Sequence, residues 1–219
     1  MNAEHTGSDS SPTAPPPLGR RERNKQEKLK RIVAAARALF RDKGFAETTT
    51  QQIAEVADIG TGTLFLYARS KEDLLVMVFR DEMIETARRA FAEIDPDLPL
   101  LDQLIELFGA MLEYHARDTA LARILLKEAM FPEADGRHTD ISELLSVIYA
   151  GIAEMVTRAR ASGRCAQGAD ASRVAENLFA NYYMDLLGWL AGLTTREQFP
   201  RRLRQHLAIT LGDDAGAAR

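Results

Sequence analysis

Between Thr49 and Leu74 the chain reads TTQQIAEVADIGTGTLFLYARSKEDL, and the start and stop signals packed into it leave little freedom about the local fold. Thr49 stands three residues before Gln52, the capping-box spacing in which a hydroxyl accepts a backbone N–H and the amide side chain reaches back. Ile53, Val56 and Ala57 then place apolar groups at i, i+3 and i+4 on one face of a short helix. Asp58-Ile59-Gly60 interrupts the pattern. A second short run, Thr61 to Ala68, follows with Leu64, Phe65 and Tyr67 as bulky anchors. Ser70-Lys71-Glu72-Asp73 repeats the start signal ahead of a long apolar run from Leu74. Helix, tight turn, helix, cap, helix predicts a helix-turn-helix, a unit that presents its second helix to the DNA major groove.

Around this unit the segment from about Lys25 to Phe79 resembles the DNA-binding region of the tetracycline-repressor (TetR) family of bacterial transcription regulators. The matching residues are Ala35-Ala36-Arg37-Ala38-Leu39-Phe40, Lys43-Gly44-Phe45, Thr48-Thr49, Ile53-Ala54, Ala57, Gly62-Thr63-Leu64-Phe65 and Ser70-Lys71-Glu72-Asp73-Leu74. The resemblance implies a cytoplasmic homodimer on an inverted-repeat operator in double-stranded DNA, most often a repressor. A small-molecule inducer in the C-terminal domain would swing the helix over 71–94 and lower DNA affinity. It also implies that Gln51, Thr61, Gly62 and Thr63 approach base edges. Thr50, Phe65, Tyr67 and Lys71 would lie along the DNA backbone, with Thr49 mainly a cap. The chain departs from the family pattern where Asp58 replaces a turn glycine, Gly60 replaces a capping Ser or Thr, Phe65 replaces Tyr, and Ala68 replaces a larger apolar group. Together these departures suggest a reading unit of low intrinsic stability.

The formal net charge of −4 argues against a nucleic-acid partner until its distribution is examined. Residues 20–72 hold twelve Lys/Arg against seven Asp/Glu, a local +5, and this basic part coincides with the helix-turn-helix. Met1 to Gly19 carries four of the 8 prolines and almost no bulky apolar groups, so residues 1–22 are expected to be a disordered tail ending in a basic arm. The basic stretch runs on from Arg20 to Lys25, and its Arg23 and Lys25 serve either as a solubilising flank or as contacts to phosphates or the minor groove. A DNA-binding domain over 23–72, a helical ligand-binding and dimerisation domain over 73–211 and a tail over 212–219 complete the expected division.

The first helix is expected from about Lys25 to Lys43, because Leu29, Ile32, Val33, Ala36, Leu39 and Phe40 form one apolar stripe and Gly44 ends it. Phe45 is expected to enter a small core with Ile53 and Leu64. Beyond Leu74, Pro and Gly punctuation divides the chain into helices over 71–94, 100–116, 119–130, 140–162, 171–191 and 199–211, with Asp170 as an N-cap and Pro200 in a first turn. No run alternates with period two, so the fold class is all-α: an N-terminal three-helix unit and a C-terminal helical domain.

Helices 171–191 and 199–211 hold Phe179, Tyr182, Tyr183, Leu186, Leu187, Trp189, Leu190 and a row of Phe199, Leu203, Leu207 and Leu211. Either this surface is buried within one subunit or it pairs with a second copy; the need for a dimeric DNA reader favours the homodimer. Helices 100–116, 140–162 and 171–191 are the candidate walls of an inducer cavity, with Phe108, Met111, Leu112, His115, Ile148, Tyr149, Ile152, Met155, Phe179 and Tyr182 inward. No Arg or Lys cluster falls on these faces, so the expected inducer is apolar or aromatic, neutral or weakly cationic.

Other chemistry has little support. His5, His115, His138 and His206 are scattered and Cys165 is the sole cysteine, so neither a metal site nor an intrachain disulfide is expected. No cofactor is expected: Gly60-Thr61-Gly62 lacks the third glycine of a nucleotide-binding turn, since position 65 is Phe. No apolar run is long enough to span a bilayer, and no secretory signal precedes the first helix. The alternative reading is a helical small-molecule carrier or enzyme with a non-functional helix-turn-helix, which would need convergent polar groups in the C-terminal domain that the sequence does not display.

Overall fold

A computed structural model describes residues 19–130, 141–163 and 168–212. Among these residues the chain is all-α: α1 Arg20–Lys43, α2 Thr50–Val56, α3 Thr61–Leu64, α4 Lys71–Glu93, α5 Leu100–Ala116, α6 Thr119–Met130, α7 Ser142–Ala161, α8 Ala171–Leu190 and α9 Phe199–Leu211. Of the tails expected over residues 1–22 and 212–219, residues 1–18 and 213–219 lie outside the described residues.

Helix α1 starts five residues before the expected Lys25, so Arg20 to Lys25, expected as a basic arm, form its first turns. Arg23 N–H already donates to the Gly19 carbonyl at 3.0 Å. Polar residues with no apolar period leave no trace of such a start in the sequence. At the other end Gly44 adopts φ 85°, a backbone region closed to most side chains, and its N–H closes on Phe40 O. Buried Thr48 fixes the following turn, its hydroxyl 2.8 Å from Gly44 O and 3.3 Å from Leu39 O.

Two cores form. The smaller joins α1, α2 and α3 through Ile32, Ala36, Ile53, Ala54 and Leu64, and Leu74, Met77 and Val78 of α4 complete it. The larger occupies the space between α4 and α9. Helix α4 therefore contributes to both. Phe45 does not join the small core: its ring lies 5.3 Å from that of Phe40 and packs against the larger cluster. Val56, expected on the buried face of α2, is 59% exposed. Ala68, by contrast, is wholly buried, so the small side chain there fits a close approach.

Asp58 has φ 53°, the left-handed conformation that the turn demands. Its carboxylate is almost fully exposed and 3.8 Å from Arg31 Nη1, a pair worth little. Asp58→Gly should therefore stabilise the fold by about 0.5–1 kcal/mol, reduced by the greater freedom of glycine in the unfolded chain. A fall in melting temperature would assign Asp58 a local role that outweighs its Cβ strain.

Helices α4 and α7 touch where Gly151 admits the ring of Phe91. A Cβ at Gly151 would lie 2.3 Å from Phe91 Cζ. Overpacking of this kind costs about 1–3 kcal/mol, against about 1 kcal/mol gained from the helix propensity of alanine. Gly151→Ala is expected to lower the thermal midpoint, whereas in a Phe91→Ala background it should be neutral or favourable. Equal losses in both backgrounds would remove the clash as the cause.

Candidate DNA interface and effector cavity

The reading unit is held by its caps. Thr49 Oγ1 accepts from Gln52 N at 3.2 Å and Gln52 Oε1 accepts from Thr49 N at 3.1 Å, so the capping box is complete. Gly60 begins α3 with no side-chain cap. The α3 assignment ends at Leu64, but Tyr67 N and Ala68 N both donate to Leu64 O, carrying the turn on to Ala68. Ser70 Oγ caps α4 by accepting from Asp73 N, while Asp73 Oδ2 accepts from Arg69 N.

These elements bring Thr49, Gln51, Thr61, Gly62 and Phe65 to the surface, with Thr50, Thr63, Tyr67 and Lys71 half-buried around them. Lys25 is exposed on the first turns of α1. Gln51 Nε2 donates to Glu55 Oε1 at 3.2 Å. Lys71 is tied to the α1–α2 turn: its ammonium donates to Phe45 O at 2.7 Å and Ala46 O at 3.2 Å, and stands 4.3 Å over the Phe45 ring. Two of its three N–H donors are thus used within the fold. Leu66, 76% exposed beside Phe65, extends the apolar part of this surface, and no spacing signal in the sequence marks it.

In the C-terminal domain an apolar cavity of about 220 Å³ lies between α4, α5, α6, α7 and α8. Of the ten residues expected there, Met111, His115, Ile148, Tyr149, Phe179 and Tyr182 line it. Phe108, Leu112, Ile152 and Met155 do not; they are buried in the surrounding core, with Phe108 stacked on Tyr182 at 4.7 Å. Helices α4 and α6, absent from the expected walls, supply Phe79, Met83, Leu126 and Ala129. Which helices meet is a long-range outcome that local periodicity does not carry.

Two polar atoms of wall residues are buried and unsatisfied. The hydroxyl of Tyr182 and Nδ1 of His115 are buried without a hydrogen-bond partner. Burial pushes the His115 imidazole down to about 4, so it is neutral near pH 7, and burial raises the Tyr182 phenol. Among the described residues no group of three or more His, Cys, Asp or Glu is placed to hold a metal ion, and no helix is long and apolar enough to cross a membrane.

The apolar row on α9 turns inward: Phe199, Leu203 and Leu207 are buried within the subunit, as are Tyr182, Leu186 and Leu190 on α8. That row is therefore core, not a free surface. Met184 and Ile209 are what these helices leave outward, at 65% and 69% exposure. Between α8 and α9 the buried Asp185 carboxylate receives His206 Nδ1 at 2.9 Å and Arg202 Nε at 3.5 Å.

The model of bacterial regulatory proteins of the tetR family matches residues 32–78, the span that holds the small core and its caps. The chain carries the DNA-binding domain of the TetR family. It is a ligand-responsive, DNA-binding transcriptional regulator with an N-terminal helix-turn-helix and a C-terminal helical domain. It is 25% identical over 233 residues to the HTH-type transcriptional repressor KstR of Mycobacterium tuberculosis, covering 99% of this chain and 100% of that one. To the fatty acid metabolism regulator protein of Bacillus subtilis it is 23% identical, covering 77% and 86%. Among solved structures it is similar to Thermus thermophilus FadR, a TetR-family transcriptional repressor in complex with lauroyl-CoA. That match has a TM-score of 0.63 and 27% identity, and covers 85% of this chain and 94% of that one.

Proposed function

We propose that this TetR-family chain is a homodimeric repressor of an inverted-repeat operator and is released when an acyl-CoA thioester places its fatty chain in the apolar cavity. The observation that carries this reading is the cavity itself: its walls are almost wholly apolar, and Phe79 and Met83 of α4 form part of them. Helix α4 begins at the Ser70 cap beside the reading unit and packs into its core, so a ligand against Phe79 presses on the helix that positions the DNA surface. The lauroyl-CoA complex of the Thermus FadR supports a fatty chain as occupant. Absence of Lys and Arg from the walls limits only the part of the ligand inside; the phosphates of CoA would stay outside the cavity. DNA and effector would then weaken each other reciprocally. Pairing of subunits through the outer faces of α8 and α9, around Met184 and Ile209, is the arrangement we favour.

Lauroyl-CoA, free CoA and lauric acid titrated against a protein–duplex complex test the reading, the duplex being selected from a random library by the full chain. Release by lauroyl-CoA but not by CoA supports it; release by a small aromatic compound alone overturns the fatty-chain assignment. For DNA contact, Gln51, Thr61, Gly62 and Thr63 are proposed to face bases, and Lys71 to give its remaining N–H to a phosphate. Lys71→Ala should weaken all duplexes alike and reduce the salt slope by about one unit. Gln51→Ala should instead lose discrimination at particular base pairs. An unchanged salt slope for Lys71→Ala would assign that lysine wholly to the α1–α2 turn.

A further inference from the structure

A second crevice, of about 270 Å³, lies on the far side of one cavity wall, between α1, α4 and the α5–α6 turn. His115 lines both spaces. The partition is a trio of rings: Phe79 to Tyr114 at 5.6 Å, Phe79 to His115 at 5.6 Å and Tyr114 to His115 at 5.7 Å. Well-packed interiors hardly deform because no space exists into which side chains can move. Here there is space on both sides, so the partition can be displaced.

The partition is wired to the DNA-binding unit. Tyr114 Oη donates to Glu82 Oε2 at 2.7 Å, and the other carboxylate oxygen, Glu82 Oε1, is 3.4 Å from Arg37 Nε on α1. Arg37 Nε is buried and makes no hydrogen bond, so Glu82 is its compensation. Glu82 in turn is fixed by the Tyr114 hydroxyl, which burial and the neighbouring carboxylate keep protonated and therefore a donor. Arg37 sits between Ala36 and Leu39 on the helix that builds the small core.

We propose that Tyr114, Glu82 and Arg37 transmit cavity occupancy to α1: a ligand against Phe79 and His115 drives the Tyr114 ring toward the crevice, breaks its bond to Glu82, and frees α1 from its fixed seat on α4. The three are positioning residues; none lines the apolar cavity. A half-buried guanidinium–carboxylate pair that loses its third partner no longer has one preferred geometry, so the reading unit leaves its docking angle. This inference rests on the apolar cavity being the effector site, but not on the identity of the effector.

The test uses N-phenyl-1-naphthylamine, a neutral apolar fluorophore, and the library-selected duplex, with the full chain. In the native protein the duplex should lower fluorophore affinity by about 5-fold or more, the scale of ordinary allosteric coupling. Tyr114→Phe and Glu82→Gln should bring that ratio to within about twofold of one while leaving each separate affinity within about threefold, a split that general loss of structure would not produce. Arg37→Lys, which keeps the charge, should retain part of the coupling. An undiminished ratio in Tyr114→Phe overturns the relay, and so does a native protein in which fluorophore and duplex ignore each other or the fluorophore fails to bind. A native chain that couples the fluorophore but ignores lauroyl-CoA leaves the relay standing and removes the acyl-CoA reading.

Discussion

Phe108→Ala is expected to cost about 3–5 kcal/mol, the range for truncating a fully buried aromatic ring. For a chain of this size that lowers the melting temperature by roughly 2–4 °C per kcal/mol. Phe108 is wholly buried and stacks on Tyr182 with ring planes 7° apart, while Tyr182 forms part of the cavity wall. Losing the ring leaves Tyr182 unsupported and adds volume behind it. The variant should therefore bind longer fatty chains relative to shorter ones, even as the fold weakens. Calorimetric unfolding gives the first result and a chain-length series of acyl-CoA titrations the second. A loss below 1 kcal/mol would mean the surrounding helices collapse onto the gap, and chain-length preference should then stay as it was.

Acid should destabilise this protein through His115. Its ordinary value is 6.5 and burial lowers it to about 4 in the folded state. Between these values the unfolded chain takes up a proton that the folded chain refuses, so stability falls as pH drops from 6.5 and the loss is complete below about 4. The full difference amounts to up to about 3 kcal/mol. His115→Met keeps the apolar volume and removes the proton site. Urea unfolding of both proteins across this window should show the native curve falling more steeply than that of the variant. Parallel curves would show that carboxylates elsewhere account for the acid sensitivity.

Short-range signals were readable along the whole chain, and long-range pairing was not. Thr49 and Gln52 are three residues apart, so the sequence alone specifies their reciprocal bonds; Ser70 and Asp170 likewise cap the helices they precede. Proline or glycine stands within a few residues of the C-terminal ends of α4, α6, α7, α8 and α9, whereas the break between α5 and α6 has neither. The early start of α1 was hidden because Arg20 to Lys25 offers neither period nor cap. Phe45 packs against the larger core and not the expected small one, since the turn after Gly44 decides which side the ring faces. The α9 row turned inward for a similar reason: an apolar stripe announces burial without naming the surface that covers it. Of the cavity, the residues on α5, α7 and α8 were accessible to helical periodicity. Phe79 and Met83 were not, because α4 is buried on most faces over its first half and gives no single stripe. Lys71, expected along the DNA backbone, also bonds Phe45 O and Ala46 O, 26 and 25 residues away, and those pairings have no sequence signature.

Helix α4 also decides where this protein can be cut. A boundary at residue 72 would strip Leu74, Met77 and Val78 from the small core, leaving Ile32, Ile53 and Leu64 facing water. An excised reading unit must extend to Val78 at the least, which is also where the family match ends. Beyond that point the same helix is already exposing Phe79 and Met83, side chains made for the other half. Any isolated fragment therefore carries a sticky end, and recombining heads and bodies between relatives has to splice within a helix that belongs to both.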